Sequence, residues 1–219
     1  MDIDSVIREI TDAVIKDLDG VAASDSYACK AACIPAAVSN RHVHLSHEHA
    51  SLLFGSAQMT KVKTLSQPGQ YACEEKVMLA GPKGAIENVR VLGPIRDKTQ
   101  VEMSASDCNK LGITAPLRHS GDLDGSAGIT IIGPCGAIIL EDGAIIAARH
   151  IHMHPADAHY FKMADREKIS VKVIGPRGLI FNEVLVRVRD DYKLEMHIDF
   201  DEANAAGIRI NGFVEVVKC

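Results

Sequence analysis

The chain has 219 residues, 47% of them hydrophobic, enough to bury a full core in one large or two small domains. Its formal net charge of −5 argues against a general nucleic-acid or membrane-surface binder, which would carry a basic excess, so any anionic ligand must be met by a local basic cluster. Six cysteines without framework spacing, no signal-type opening segment and no apolar run of membrane-spanning length point to a soluble protein of a reducing cytosol.

Residues 1–20 place Ile3, Val6, Ile7, Ile10, Val14 and Leu18 at helical spacing, with Asp2, Asp4, Arg8, Glu9, Asp12, Lys16 and Asp17 elsewhere on the wheel. This predicts an amphipathic helix that stops at Gly20. Residues 21–33, which contain Cys29 and Cys33, are Ala/Ser-rich and read as a linker. A short tethered helix cannot bury its apolar stripe locally, so it is expected to seek a partner, the alternative being packing on its own domain.

From Ile34 onward, Val/Ile-rich runs are punctuated by Gly-Pro: VMLAGPKGAIENVRVLG, GITIIGPCGAIILEDGAII and ISVKVIGPRGLIFNEVLVRVRDD. Short strands bounded by such turns predict a mainly β protein of small barrels or sandwiches with a few short helices. Elements also recur in order. Arg41-His42-Val43-His44-Leu45 returns as Arg149-His150-Ile151-His152-Met153, Gly81-Pro82-Lys83-Gly84 as Gly175-Pro176-Arg177-Gly178, and Val101-Glu102-Met103 aligns with Leu194-Glu195-Met196. Asn109 and Gly112-Ile113 match Asn204 and Gly207-Ile208. A duplication of this length predicts two copies of one folding unit, hence two barrels with a pseudo-twofold relation.

The two H-x-H motifs suggest the chemistry. On a strand, residues two apart share a face with Cα atoms ~6.5 to 7 Å apart, so both imidazoles can reach one ion at ~2.0 to 2.1 Å. On a helix they would diverge by about 200°, and the intervening Val43 and Ile151 favour the strand. Each motif supplies two ligands. The third is sought in the E-M strand, which assigns Glu102 to His42 and His44, and His197 to His150 and His152. Sites of His and carboxylate without cysteine suit zinc best, with cobalt, nickel or iron able to use the same ligands. His154 would stand behind the second site, while His47, His49, His119 and His159 read as surface or turn residues. Lys83, Arg90 and Arg96 form a basic set leading into Glu102 and suggest an anionic substrate.

The stretches AAVSNRHVHLS, GPIRDKTQVE, LRHSGD, ARHIHMHP and LEMHIDFDEANA resemble the phosphate propanoyltransferases (phosphotransacylases) of the propanediol-utilisation type found in bacterial microcompartments. That resemblance, over about residues 34–219, implies two interleaved β-barrels in which the first strand joins the C-terminal half: residues 34–40 with 148–219, and 41–147. It implies two zinc ions, on His42, His44 and Glu102 and on His150, His152 and His197. It places Arg96 on inorganic phosphate, lines a coenzyme A site with Val38, Ser39, Asn40, Lys83, Arg90 and Asn204, and makes Ser120 an active-site candidate. The implied reaction exchanges a short-chain acyl-CoA and phosphate for acyl phosphate and CoA. Residues 1–20 are similar to an encapsulation helix, implying core or shell partners, a location inside a cytoplasmic microcompartment, and a homo-oligomer. The rivals from other classes are a binuclear metallohydrolase acting on a thioester or phosphorylated substrate, and a non-enzymatic scaffold component.

Overall fold

The computed structural model describes residues 33–209 and 212–217. The expected helix over 1–20, and the linker up to residue 32, lie outside the described residues. Residues from Ile34 onward form one compact unit built from strands and four short helices.

The described residues open with β1 (Cys33–Ser39) and then enter β2 (His42–His44), α1 (His47–Phe54), β3 (Lys61–Thr64), β4 (Tyr71–Gly81), β5 (Gly84–Gly93), β6 (Gln100–Met103) and α2 (Ala105–Leu111). β7 (Leu117–Arg118), β8 (Ala127–Ile132) and β9 (Ala137–Ala147) follow. The remaining elements are β10 (His150–Met153), α3 (Pro155–Phe161), β11 (Lys168–Val173), β12 (Ile180–Val188), β13 (Glu195–Asp199), α4 (Phe200–Ala206) and β14 (Gly212–Val216). The three Gly-Pro stretches are the hairpins β4–β5, β8–β9 and β11–β12.

Two closed barrels result. In one, β4, β5, β2, β6, β9 and β8 pair in a ring, with β3 added beside β4 and β7 beside β9. In the other, β1 joins β10 to β14 in the order β1-β13-β10-β12-β11-β14. β1 therefore leaves its neighbour in sequence and pairs in parallel with β13, Ala36 opposite Met196. Closure removes the exposed sheet edges that so many short strands would otherwise present. Each barrel has its own core, around Val43, Leu79, Val91, Val101 and Ile131 in one and Ile34, Ile151, Val184, Met196 and Ile198 in the other.

The four helices follow the site strands, two per barrel. α1 and α3 come after the H-x-H strands, α2 and α4 after the strands that pair with them. α2 and α4 start on capping boxes in which Ser104 and Asp107, or Asp199 and Glu202, satisfy each other's backbone N–H groups. The arginine that precedes each H-x-H clasps the same acid: Arg41 to Asp107 at 2.8 Å and Arg149 to Glu202 at 2.7 Å. The repeated Arg-His-x-His thus joins a strand to the helix behind its partner strand.

The repeated Gly-Pro-basic-Gly turn has a related structural task. Lys83 N–H donates to the Leu111 carbonyl at the end of α2, and Arg177 Nε donates to Ala205 O at the end of α4. Both supply a donor where the last helical carbonyls lack partners, a backbone N–H in one copy and a guanidinium in the other. Gly81 has to be glycine there, because a Cβ would lie 2.4 Å from Leu111 O.

Candidate metal centre and active-site cleft

β2 and β10 are central strands, each parallel to one neighbour and antiparallel to the other. Val43 and Ile151 enter the barrel cores, so the histidines on either side of each share the opposite face, with His42 and His44 ring centroids 5.0 Å apart and His150 and His152 4.7 Å apart. Cross-strand register brings the third member: His42 lies opposite Glu102, and His150 opposite His197. The potential ligand atoms of each trio all lie within 4.8 Å of one another.

This register corrects the alignment of the two repeats. Glu102 corresponds to His197, and Gln100 to Glu195, because His44 faces Gln100 as His152 faces Glu195. The shared Glu-Met dipeptide is therefore offset by two residues and is not the homologous feature. At both Gln100 and Glu195 the side chain holds the third member two residues on. Gln100 Nε2 donates to Glu102 Oε1 at 2.5 Å, and Glu195 Oε2 accepts from His197 Nε2 at 2.8 Å. An amide donor suits a carboxylate and a carboxylate acceptor suits an imidazole.

The chemistry of the donors fits a metal. His42 Nδ1 is bonded to Asn40 O and His150 Nδ1 to Ala148 O, both at 2.8 Å, which leaves each Nε2 with its lone pair facing its trio. His150 Nε2 and His152 Nε2 stand 2.9 Å apart, and the buried Nδ1 atoms of His44 and His152 have no hydrogen-bond partner. Burial, aided by His42 and Arg96, lowers His44 well below the usual imidazole value. Burial and His197 bring His150 down to about 4, and burial with His150 and His197 takes His152 to about 2. These rings are neutral at physiological pH, the form a metal requires. Burial alone would raise Glu102, but His42, Ser120, His150 and Arg96 bring its carboxyl below the ordinary range, so it is an anion.

Both trios open on a cleft of about 550 Å³ between the barrels. Of the other residues singled out from the sequence, Val38, Ser39, Asn40, Arg90, Arg96 and Ser120 line this cleft. Arg96 Nη1 donates to Ser120 Oγ at 3.2 Å, and Gln100 Nε2 donates to the same oxygen at 2.8 Å. Arg90 Nη1 is bonded to the Cys73 and Glu74 carbonyls. Lys83 and Asn204 do not line it: Lys83 sits at the end of α2, and Asn204 is exposed on α4. His154 is also placed differently from expectation. It is exposed and caps α3, its Nδ1 accepting from Ala156 N–H, so it does not stand behind the second trio. His47, His119 and His159 are exposed, and His49 Nδ1 is bonded to Thr99 Oγ1.

Sequence reasoning missed a second layer. The β3–β4 loop crosses to the other barrel, where Ser66 Oγ donates to Glu195 and Gln67 Nε2 donates to Glu195 Oε2 and Lys193 O. Tyr192 packs edge-on against His152 at 4.1 Å, with Arg187 and Arg189 beside its ring. No local motif marks these residues; they are found only through pairing across the cleft. Among the described free cysteines, burial pushes Cys73 up to about 11 and raises Cys108, while Cys135 is exposed. None of these three thiols lines the cleft.

Residues 35–209 match the family model described as phosphate propanoyltransferase. Proteins of that name are similar throughout. One from Thermotoga maritima is 56% identical over 183 residues, covering 83% of this chain and 87% of its own. One from Clostridioides difficile is 50% identical over 190 residues, covering 86% and 91%. One from Rhodobacter capsulatus is 47% identical over 214 residues, covering 96% and 98%, so that match must reach into the first 33 residues. With its two barrels and paired His/Glu trios, the chain belongs to the phosphate propanoyltransferase family, a family of acyltransferases.

Proposed function

We propose that this enzyme interconverts a short-chain acyl-CoA, propanoyl-CoA and also acetyl-CoA, plus phosphate with the acyl phosphate plus CoA, in the cleft between its barrels. The observation that carries the reading is the convergence of two trios, one of two histidines and a glutamate and one of three histidines, with several arginines on one cleft in a protein whose overall charge is negative.

His42, His44 and Glu102 would hold one zinc ion and His150, His152 and His197 another. Bound there, zinc supplies Lewis acidity that stabilises a thiolate and polarises a carbonyl. Arg96 binds phosphate through its guanidinium and orients an oxygen toward the thioester carbonyl carbon, with Ser120 beside it. The C–O bond forms, the C–S bond breaks, and the proton of hydrogen phosphate leaves with the CoA sulfur. Val38, Ser39, Asn40 and Arg90 contact coenzyme A along the wall contributed by β1, β2 and β5. Lys83 and Asn204 stand outside that wall and take no part in this reading.

Residues 1–20 would serve partner binding, bringing the enzyme to the core or shell of a cytoplasmic microcompartment; capture of shell or core proteins lost on deleting them is the test. The homo-oligomer is tested by light scattering. The deciding assay for catalysis is CoA release from propanoyl-CoA and acetyl-CoA by the zinc-loaded enzyme, with and without phosphate. Release that waits for phosphate and yields acyl phosphate supports the transferase; equal release without phosphate would make the enzyme a hydrolase.

A further inference from the structure

Five arginines line the cleft: Arg41, Arg90, Arg96, Arg187 and Arg189. Four already have oxygen acceptors in the protein. Arg41 holds Asp107, Arg90 the Cys73 and Glu74 carbonyls, Arg96 Ser120, and Arg189 Asp191. The Arg187 side chain has no hydrogen bond or ion pair among the described residues; its guanidinium only flanks the Tyr192 ring, 5.9 Å from the centroid. It is half-buried, so its five donors are partly withheld from water as well as from protein acceptors.

Its position is set by register. On β12, Arg187 lies directly opposite His152 of β10, and cross-strand neighbours present their side chains to the same face. The other barrel pairs His42 with Arg90, so by the same register the place beside His44 falls to Leu92, which is apolar. The duplication has therefore moved its arginine by two residues, from one whose Nη1 is bonded to two carbonyls to one whose guanidinium has no protein acceptor among the described residues. Tyr192, held edge-on against His152, flanks the guanidinium. Arg96 comes from the opposite barrel and lines the same cleft. Two facing cations, one with no protein partner, make a receptor for a doubly charged anion.

We propose that Arg187 is a second phosphate-binding arginine, gripping from one barrel the reacting phosphate that Arg96 holds from the other. This rests on the phosphate-binding reading of Arg96 above. Coenzyme A carries phosphate groups too, but the place of Arg187 beside His152, a member of the second trio, favours the phosphate that reacts.

The test is calorimetric titration of the zinc-loaded enzyme with inorganic phosphate and, separately, with CoA. Arg187→Gln is expected to weaken phosphate binding about 10- to 100-fold, to raise the KM for phosphate, and to leave CoA affinity within about twofold. Arg187→Lys, which restores charge without the planar fork, should recover part of the loss. It also carries the comparison should the glutamine variant fail to fold. If the wild type binds no phosphate, the reading beneath fails and this inference with it. If the wild type binds phosphate and Arg187→Gln binds it as tightly, the assignment of Arg187 alone is overturned. A loss confined to CoA would give Arg187 to the nucleotide and likewise overturn it.

Discussion

Replacing Gln100 with leucine tests how the first trio is held. Gln100 is 1% exposed and its amide is engaged on every side. Nε2 donates to Glu102 Oε1 at 2.5 Å and to Ser120 Oγ at 2.8 Å, and Oε1 accepts the Gly121 N–H at 2.7 Å. Gln100→Leu keeps nearly the same volume and removes all three bonds. The bond to an ionised carboxylate is worth about 1.5–3 kcal/mol and each neutral bond about 1 kcal/mol. Leucine burial returns roughly 1 to 2 kcal/mol, which leaves a net loss of about 2–4 kcal/mol. In a protein of this size that lowers Tm by roughly 5–15 °C. Urea unfolding of the metal-free wild type and variant measures the loss without any contribution from metal binding. Removing the donor to Oε1 also frees the carboxylate to rotate, so zinc at the first trio should weaken about 10- to 100-fold in competition with a chelator. A stability loss below about 0.5 kcal/mol together with unchanged zinc affinity would refute the claim that Gln100 fixes Glu102.

Arg96→Ala should raise the KM for phosphate and lower kcat with Tm little changed, the loss of a charge-assisted clamp being about 2–3 kcal/mol in kcat/KM; steady-state kinetics with phosphate varied would reject it if phosphate dependence were unaltered. In the metal-free protein, His150 is held at about 4 against about 6.5 unfolded, so below pH 6.5 the unfolded chain binds a proton that the folded chain refuses. Stability is then full above pH 6.5 and falls by about 3 kcal/mol from His150 alone by pH 4. The depressed Glu102 carboxyl acts in the same direction at lower pH, its contribution being lost as pH falls through its folded value. A urea midpoint that stayed flat from pH 7 to 4 would contradict this. Alanine variants of Cys73, Cys108 and Cys135 should each keep most activity, because none lines the cleft and burial keeps the first two protonated; an acyl-cysteine peptide found by mass spectrometry would overturn direct transfer.

The H-x-H pairs, the Gly-Pro hairpins and the duplication were legible from the residues alone. Each rests on relations spanning a few positions: the period of two along a strand, the turn chemistry of glycine and proline, and the recurrence of a pentapeptide. The structure also brings the six residues of the two expected trios together, although the Glu-Met alignment that pointed to the third of each is offset by two residues. Identity of the Glu-Met dipeptide is a property of composition, whereas the partner of His42 is set by which residue of β6 lies across from it, about 60 positions away in the chain. Barrel closure decides that register, and with it the places of Gln100 and Glu195. The same physics separates the basic residues. Lys83 looks like a ligand-binding cation in a glycine-rich turn, yet packing sets it, like Arg177 in the second copy, on a helix end. Arg187, unremarkable on its own strand, is set beside His152 on the cleft because β12 pairs with β10. Local periodicity tells which side chains share a face; only the closed sheet determines what that face meets.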